Sequence, residues 1–203
     1  AMPPIIAPPA AGMPIVAVGS VVREPTAAMI WLKKSKIGGI ADLEGKTIAL
    51  PGAPFQASLL QAVLARAGLT LDDVKLKRVG YEAVSTLLAG QADVVFGSSW
   101  NLEGVELESL GEKAVVTRVQ DLGIPGYEEA VIVARTDFVA EDPELVRDFI
   151  SAVTRGTAAA IEDAQAAVQV IRKAIGSVPA PDRGMVEAQV KATLPLLSRD
   201  GHM

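Results

Sequence analysis

Cysteine is absent from the 203 residues, and histidine occurs once, at position 202. Disulfides and thiolate metal sites are thereby excluded, and a histidine-cluster metal centre or imidazole catalysis has nothing internal to build on. Basic charge is scarce as well: 19 Lys and Arg stand against 24 Asp and Glu, a formal net charge of −5. No basic stripe of the kind a phosphate backbone requires runs along the chain, so nucleic acid is not expected as a partner. Aromatic residues make up 4% of the chain, which limits the stacking surface of any site built from it. An uninterrupted apolar span is missing too. Residues 3–22 are uncharged, but Pro3, Pro4, Pro8, Pro9 and Pro14 break them up and no positive segment precedes them. That stretch reads as an irregular approach to a buried strand, not as a membrane helix or a signal peptide. The lack of cysteine by itself leaves the compartment open.

What is present suffices for a core. Half of the residues are hydrophobic and 21% are charged, in a length that fits one large domain or two small ones. From residue 46 an alternating pattern sets in. KTIALPG (46–52) reads as a strand, and Phe55, Leu59, Leu60, Val63 and Leu64 then share one helical face before Gly68. VKLKRV (74–79) is a second strand, and Val84, Leu87 and Leu88 mark a short helix ending at Gly90. ADVVFG (92–97) is a third strand with a helix over 100–110, and AVVTRV (114–119) is a fourth. Strands and helices alternating over short connections predict a parallel sheet covered on both faces.

Two further runs resemble each other, AAMIWLKKSKI (27–37) before this unit and EAVIVARTDFV (129–139) after it. Each is extended and apolar with a charged, turn-prone exit, which suggests a chain that enters a lobe by one strand and leaves by another. Three segments follow: 1–33 as a partial first lobe with the first crossover, 34–129 as one complete βαβ lobe, and 130–203 as the return crossover and closing helices. Asp142-Pro143 with Glu144 gives a capped helix start, after which Leu145, Val146, Phe149, Ile150 and Val153 fall on one face. Further helices are expected over 164–175 and 182–194.

Three stretches carry a family resemblance: IADLEGKTIALPGAPFQASLLQAVLARAGL (40–69), LLAGQADVVFGSSWNLEGVELESLG (87–111) and PGYEEAVIVARTDFVAEDPELVRDFISAVTRGTAAAIED (125–163). They resemble the solute-binding proteins of ABC importers in the group that handles thiamine-precursor pyrimidines, with alkanesulfonate, taurine and nitrate binders as cousins. The D-L-x-G-K and A-G-x-A-D-V segments are widespread among such proteins. N-L-E-G-V-x-L-x-x-L-G followed by I-P-G-Y is narrower and leans toward the pyrimidine branch. The resemblance implies an α/β, type II periplasmic-binding-protein-like fold, here one complete doubly wound lobe plus part of a second. It also implies a non-catalytic protein that closes on a small heteroaromatic or anionic solute, needs no cofactor or metal, and delivers its cargo to a membrane ABC permease outside the cytoplasm. Members begin with a half-lobe that nothing here matches, so the chain reads as truncated, and a homodimer is one way to cover the exposed part of the incomplete lobe.

In a doubly wound lobe, ligand is expected at the carboxyl ends of the strands. Three loops qualify. In Gly52-Ala53-Pro54-Phe55-Gln56, neither Gly52 nor Ala53 offers a side-chain cap, so backbone N–H groups are expected to be free for an anionic or carbonyl group; the bland alternative is a water-capped helix start with Phe55 in the core. In Ser98-Ser99-Trp100-Asn101-Leu102-Glu103, the resemblance suggests a flat ring stacking on Trp100 with Glu103 accepting from ring amino groups, Ser98 and Asn101 lying beside them. Glu103 is equally at home in a first helical turn, where the helix dipole favours a carboxylate, and Trp100 as ordinary packing. In Ile124-Pro125-Gly126-Tyr127, Tyr127 either closes over a ligand or anchors its loop. Trp31 reads as core or hinge packing.

Other classes remain. One relative of this fold builds a pyrimidine by consuming a histidine of its own active site together with pyridoxal phosphate, and His202 is badly placed for that. LysR-type regulators use the same architecture for effector binding, but their N-terminal helix-turn-helix is not seen here. A fragment that binds nothing is the third.

Overall fold

The structure is a computed structural model that describes residues 12–175 and 183–198. Seven strands are formed: β1 (Ile15–Val22), β2 (Ala27–Leu32), β3 (Thr47–Leu50), β4 (Lys75–Arg78), β5 (Val94–Ser99), β6 (Ala114–Arg118) and β7 (Ala130–Arg135). The α-helices are α1 (Pro54–Ala65), α2 (Ala83–Leu88), α3 (Val105–Ser109), α4 (Thr136–Glu141), α5 (Pro143–Glu162), α6 (Ala164–Ile175) and α7 (Arg183–Thr193). The chain separates into two compact units, Thr26–Pro125 and the pair of segments Ala1–Pro25 and Gly126–Met203. The divide thus falls at Pro25 and Pro125, ahead of the 34–129 limits read from the sequence, because β2 belongs to the sheet of the Thr26–Pro125 unit.

In that unit the strand order is β4-β3-β5-β2-β6. β3 runs parallel to β4 and β5, whereas β2 runs antiparallel to both β5 and β6, so the sheet is mixed where the alternation had suggested a parallel one. The exception is the entering strand, which has no crossover helix before it. Every residue from Ala28 to Leu32 is buried, as a strand between two covered faces must be. Ala28, Ile30 and Leu32 share a core with Ala49, Val95, Leu107 and the α2 residues Ala83, Val84 and Leu87. Chain direction accounts for this layering. β3 leads outward through α1 to β4, while β4 to β5 and β5 to β6 lead the other way through α2 and α3, and right-handed crossovers then place α1 on the face opposite α2 and α3. The edge strand β4, KLKR, is mostly exposed and carries charges that discourage further pairing.

The other unit is built around the antiparallel pair β1 and β7, whose register shifts between Ala17 and Gly19 and again between Ser20 and Val22. Residues 196–198 add to the second edge of β1: Arg23 N–H donates to Leu196 O at 2.9 Å and Ser198 N–H to Val21 O at 2.9 Å. Asp142 caps α5 by accepting from Leu145 N–H at 3.0 Å, and Val168, Val186 and Val190 join α6 to α7. Within 129–139, read as an extended run with a charged, turn-prone exit, the residues from Thr136 onward belong instead to α4. Across its 20 residues α5 has no buried side chain, and Leu145 and Phe149 are more than half exposed. The part of the Pro-rich approach at residues 1–11, Asp182 of the last helix, and His202 lie outside the described residues. Among the described residues no helix is long and apolar enough to cross a membrane.

Candidate functional site

β3 and β5 lie side by side and parallel, yet the chain leaves them in opposite directions, toward β4 and toward β6. A crevice opens outside the carboxyl ends of such a pair, and it is where open α/β sheets receive ligands. The chain segments that border it, 51–53 and 100–104, overlap two of the three stretches singled out in the sequence, 52–56 and 98–103.

At the first loop the geometry overturns one expectation. Gly52 and Ala53 do not leave their N–H groups free: both donate to the side-chain Oε1 of Gln56, at 2.9 and 3.0 Å. The other end of the same carboxamide crosses the crevice, where Nε2 donates to Gly97 O at 3.2 Å. A helix start with no capping residue of its own has borrowed a glutamine from within its first turn, and Gln56 is 5% exposed as a result. Phe55 is half-buried rather than in the core, and Pro54 takes the first helical position, where its missing N–H is no loss.

β5 ends in a bulge. Ala28 pairs with Ser98 and Met29 with Phe96, so Gly97 is passed over, at a φ of 88° that suits glycine. The slip turns Ser98 onto the face that Val95 uses. There Ser98 borders a crevice with Ile30, Val84, Leu87, Glu103 and Leu107, too narrow for a water molecule. Ser98 is 3% exposed, and its Oγ has no hydrogen-bond partner. Immediately beyond, residues 100–104 wind as a single π-turn before α3, a distortion frequent at functional sites. Trp100 N–H donates to Thr26 O at 2.9 Å, Thr26 and Ser99 bring their hydroxyls to 3.2 Å, and Asn101 is buried. The indole Nε1 of Trp100 is also buried without a partner.

Glu103 is engaged locally, accepting from Ser99 N–H at 2.7 Å, which is the capping role open to it from the start. Burial, and then the neighbouring Glu103 carboxylate, raises Glu106 above the ordinary carboxylate range. The guanidinium of Arg118, at the carboxyl end of β6, lies 3.9 Å from the centroid of the Trp100 ring, a cation–π contact. Arg118 was not among the residues singled out. Its position as the charged residue ending a strand, AVVTRV, was the available signal.

Tyr127 does not share this unit. It lies in the unit of β1 and β7, where burial, with Glu129 adding charge and a hydrogen bond, raises the phenol well above its ordinary pKa. Trp31 is a core residue whose indole N–H donates to Ile37 O at 2.9 Å. Among the described residues no cluster of His, Cys, Asp and Glu could hold a metal ion.

The pattern of the NMT1/THI5-like family matches residues 1–167. The chain belongs to that family. A formylaminopyrimidine-binding protein of Halalkalibacterium halodurans is 31% identical to this NMT1/THI5-like chain over 159 residues, 78% of the chain and 48% of the relative. A 4-amino-5-hydroxymethyl-2-methylpyrimidine phosphate synthase of Legionella pneumophila is 27% identical over 199 residues, 96% of the chain and 60% of the relative. Among solved structures, the periplasmic aliphatic sulphonate binding protein SsuA of Escherichia coli superposes with a TM-score of 0.75 at 20% identity, covering 96% of this chain and 64% of its own. The likeness fixes the fold as that of periplasmic binding proteins. The chain spans about half the length of the formylaminopyrimidine-binding relative and three fifths of the synthase.

Proposed function

We propose that this NMT1/THI5-like chain is the solute-gripping portion of an ABC-importer binding protein, and that it takes a flat, pyrimidine-like heterocycle at the carboxyl edge of the five-stranded sheet without chemically changing it. One observation carries the reading: two polar groups at the end of β5, Ser98 Oγ and Trp100 Nε1, are buried without a partner. A buried hydroxyl and a buried indole N–H left unsatisfied are costly unless something else satisfies them. A ring nitrogen offers the complementary acceptor to the indole N–H, and Ser98 Oγ, in a crevice that admits no water, is reached only when Glu103 swings out of that crevice toward the solute. Trp100 supplies the stacking surface, and Arg118 already demonstrates that its face accepts a flat cationic partner. The solute takes the place of that guanidinium, and Glu103 turns from Ser99 N–H to the solute's amino group. The name of the Halalkalibacterium relative supports a pyrimidine, and handover to a membrane permease outside the cytoplasm is part of the binding-protein role proposed here.

The synthase relative is the rival. Whether the pyrimidine is returned unchanged or altered separates the two readings. The experiment is a fluorescence titration of the chain with formylaminopyrimidine. Saturable quenching that Trp100→Ala removes and Glu103→Gln weakens about tenfold, with no change in the pyrimidine recovered, is the expected outcome. A folded chain that gives no saturable response, or returns an altered pyrimidine, contradicts the reading.

A further inference from the structure

The crevice between β3 and β5 is filled by a side chain of the protein itself. Two backbone N–H groups, Gly52 and Ala53, converge on Gln56 Oε1 at 2.9 and 3.0 Å, with Gly52 held at a φ of 111°. Successive N–H groups turned toward one point by such a conformation form the backbone cradle with which loops grip an oxyanion or a carbonyl oxygen. The occupant is tied down from the far side, because Gln56 Nε2 donates to Gly97 O. Glycine at 97 is what makes this possible: a Cβ there would lie 2.6 Å from Gln56 Nε2. Gly52, Ala53, Gln56 and Gly97 therefore act as one assembly, with the carboxamide sealed inside it at 5% exposure.

We propose that Gln56 is a specificity-determining residue, an internal stand-in for an oxyanion that closes the cradle and makes the site refuse sulfonate, sulfate and carboxylate head groups in favour of solutes with an uncharged head. The inference rests on reading the carboxyl edge of the sheet as the solute site, and it narrows the class of solute that site accepts. To enter the cradle an oxyanion has to expel the carboxamide, breaking its bonds to Gly52 and Ala53 and stripping Gly97 O of its donor. An uncharged heterocycle meets Ser98 and Trp100 and leaves the cradle as it is. The fold is shared with a sulphonate-binding protein, so the discrimination is a property of these four residues and not of the architecture.

The test is a titration of the isotope-labelled full chain with sodium methanesulfonate at constant ionic strength, following the amide resonances of Gly52 and Ala53. The native chain is expected to give no saturable shift at these two amides. Gln56→Ala is expected to give one confined to them, with affinity at least tenfold above any native response. Gln56→Glu keeps an acceptor in the cradle and is expected to refuse the anion at neutral pH as the native chain does. Native chain and Gln56→Ala titrating alike, a folded Gln56→Ala that gains nothing, or Gln56→Glu binding as Gln56→Ala does would each overturn the proposal. The native arm stands even where a variant fails to fold, since saturable methanesulfonate shifts at Gly52 and Ala53 in the native chain are enough to overturn it. Formylaminopyrimidine titrated in parallel separates the two ideas: refusal of both ligands sinks the solute reading alone, and acceptance of methanesulfonate at these amides sinks the stand-in alone.

Discussion

Trp100 meets Arg118 on its ring face while its indole N–H stays unpaired, so one side chain is half-engaged and half-waiting. Removing the guanidinium frees the face for solute. Arg118→Ala is accordingly expected to tighten pyrimidine binding a few-fold, since a cation–π contact at an exposed site contributes roughly 0.5–1 kcal/mol. Weakened binding in a calorimetric titration would instead make Arg118 a ligand contact. Glu106 gives a second check. Burial raises its folded-state pKa, so its stability contribution is present at pH values below the ordinary carboxylate pKa and is lost as the pH rises through the folded value. Glu106→Gln is therefore expected to raise the melting temperature at neutral pH and to leave it little changed in acid. At this scale the sequence was readable for Trp31, whose place in an apolar run marks it as packing. It was not readable for Gln56. The bond from Gln56 to Gly97 joins positions 41 apart, and only the adjacency of β3 and β5 brings them together.

The element that decides the shape of the edge is the end of β5, where the bulge at Gly97 turns Ser98 inward and a π-turn follows. Gly97→Ala meets two obstacles: a φ of 88°, and a Cβ position 2.6 Å from Gln56 Nε2. Strain of the first kind alone costs about 1–2 kcal/mol. Denaturant unfolding is expected to register a loss of about 2 kcal/mol or more, part of which Gln56→Ala relieves in the double variant. Additive losses would mean that the two residues do not act together. At the start of α5, Asp142→Ala is expected to cost about 1 kcal/mol through the lost cap on Leu145 N–H. That cap was legible as Asp-Pro followed by an apolar helical period, and the strands from 46 to 119 were legible from their alternation with helices. The antiparallel sense of β2 was not, because a single strand's composition records that it is buried on both faces but not which way it runs between its neighbours. Nor was α4, which follows β7 without an intervening residue, so no turn in the sequence separates helix from strand.

At the scale of the whole chain the two units differ in how far they enclose their apolar residues. Thr26–Pro125 covers β2 on both faces. Exposed large apolar residues stand on both units, Leu76, Tyr81 and Leu110 among those of Thr26–Pro125, but among the described residues only the other unit has a long helix, α5, with none of its residues buried and with Leu145 and Phe149 exposed. A surface of that kind binds apolar probes and promotes association. Phe149→Glu is expected to reduce fluorescence of a bound anilinonaphthalene dye and to leave pyrimidine binding unchanged, because the proposed site uses residues of Thr26–Pro125. A variant that loses the solute as well would show that binding depends on both units. The central claim, that this chain holds a small heterocycle at the end of β5, is tested most directly by native mass spectrometry of the purified chain after incubation with formylaminopyrimidine. One added mass per chain is expected, absent from Trp100→Ala and Glu103→Ala. A native chain that carries no added mass, or variants that retain it fully, would mean that the heterocycle is not held at the end of β5.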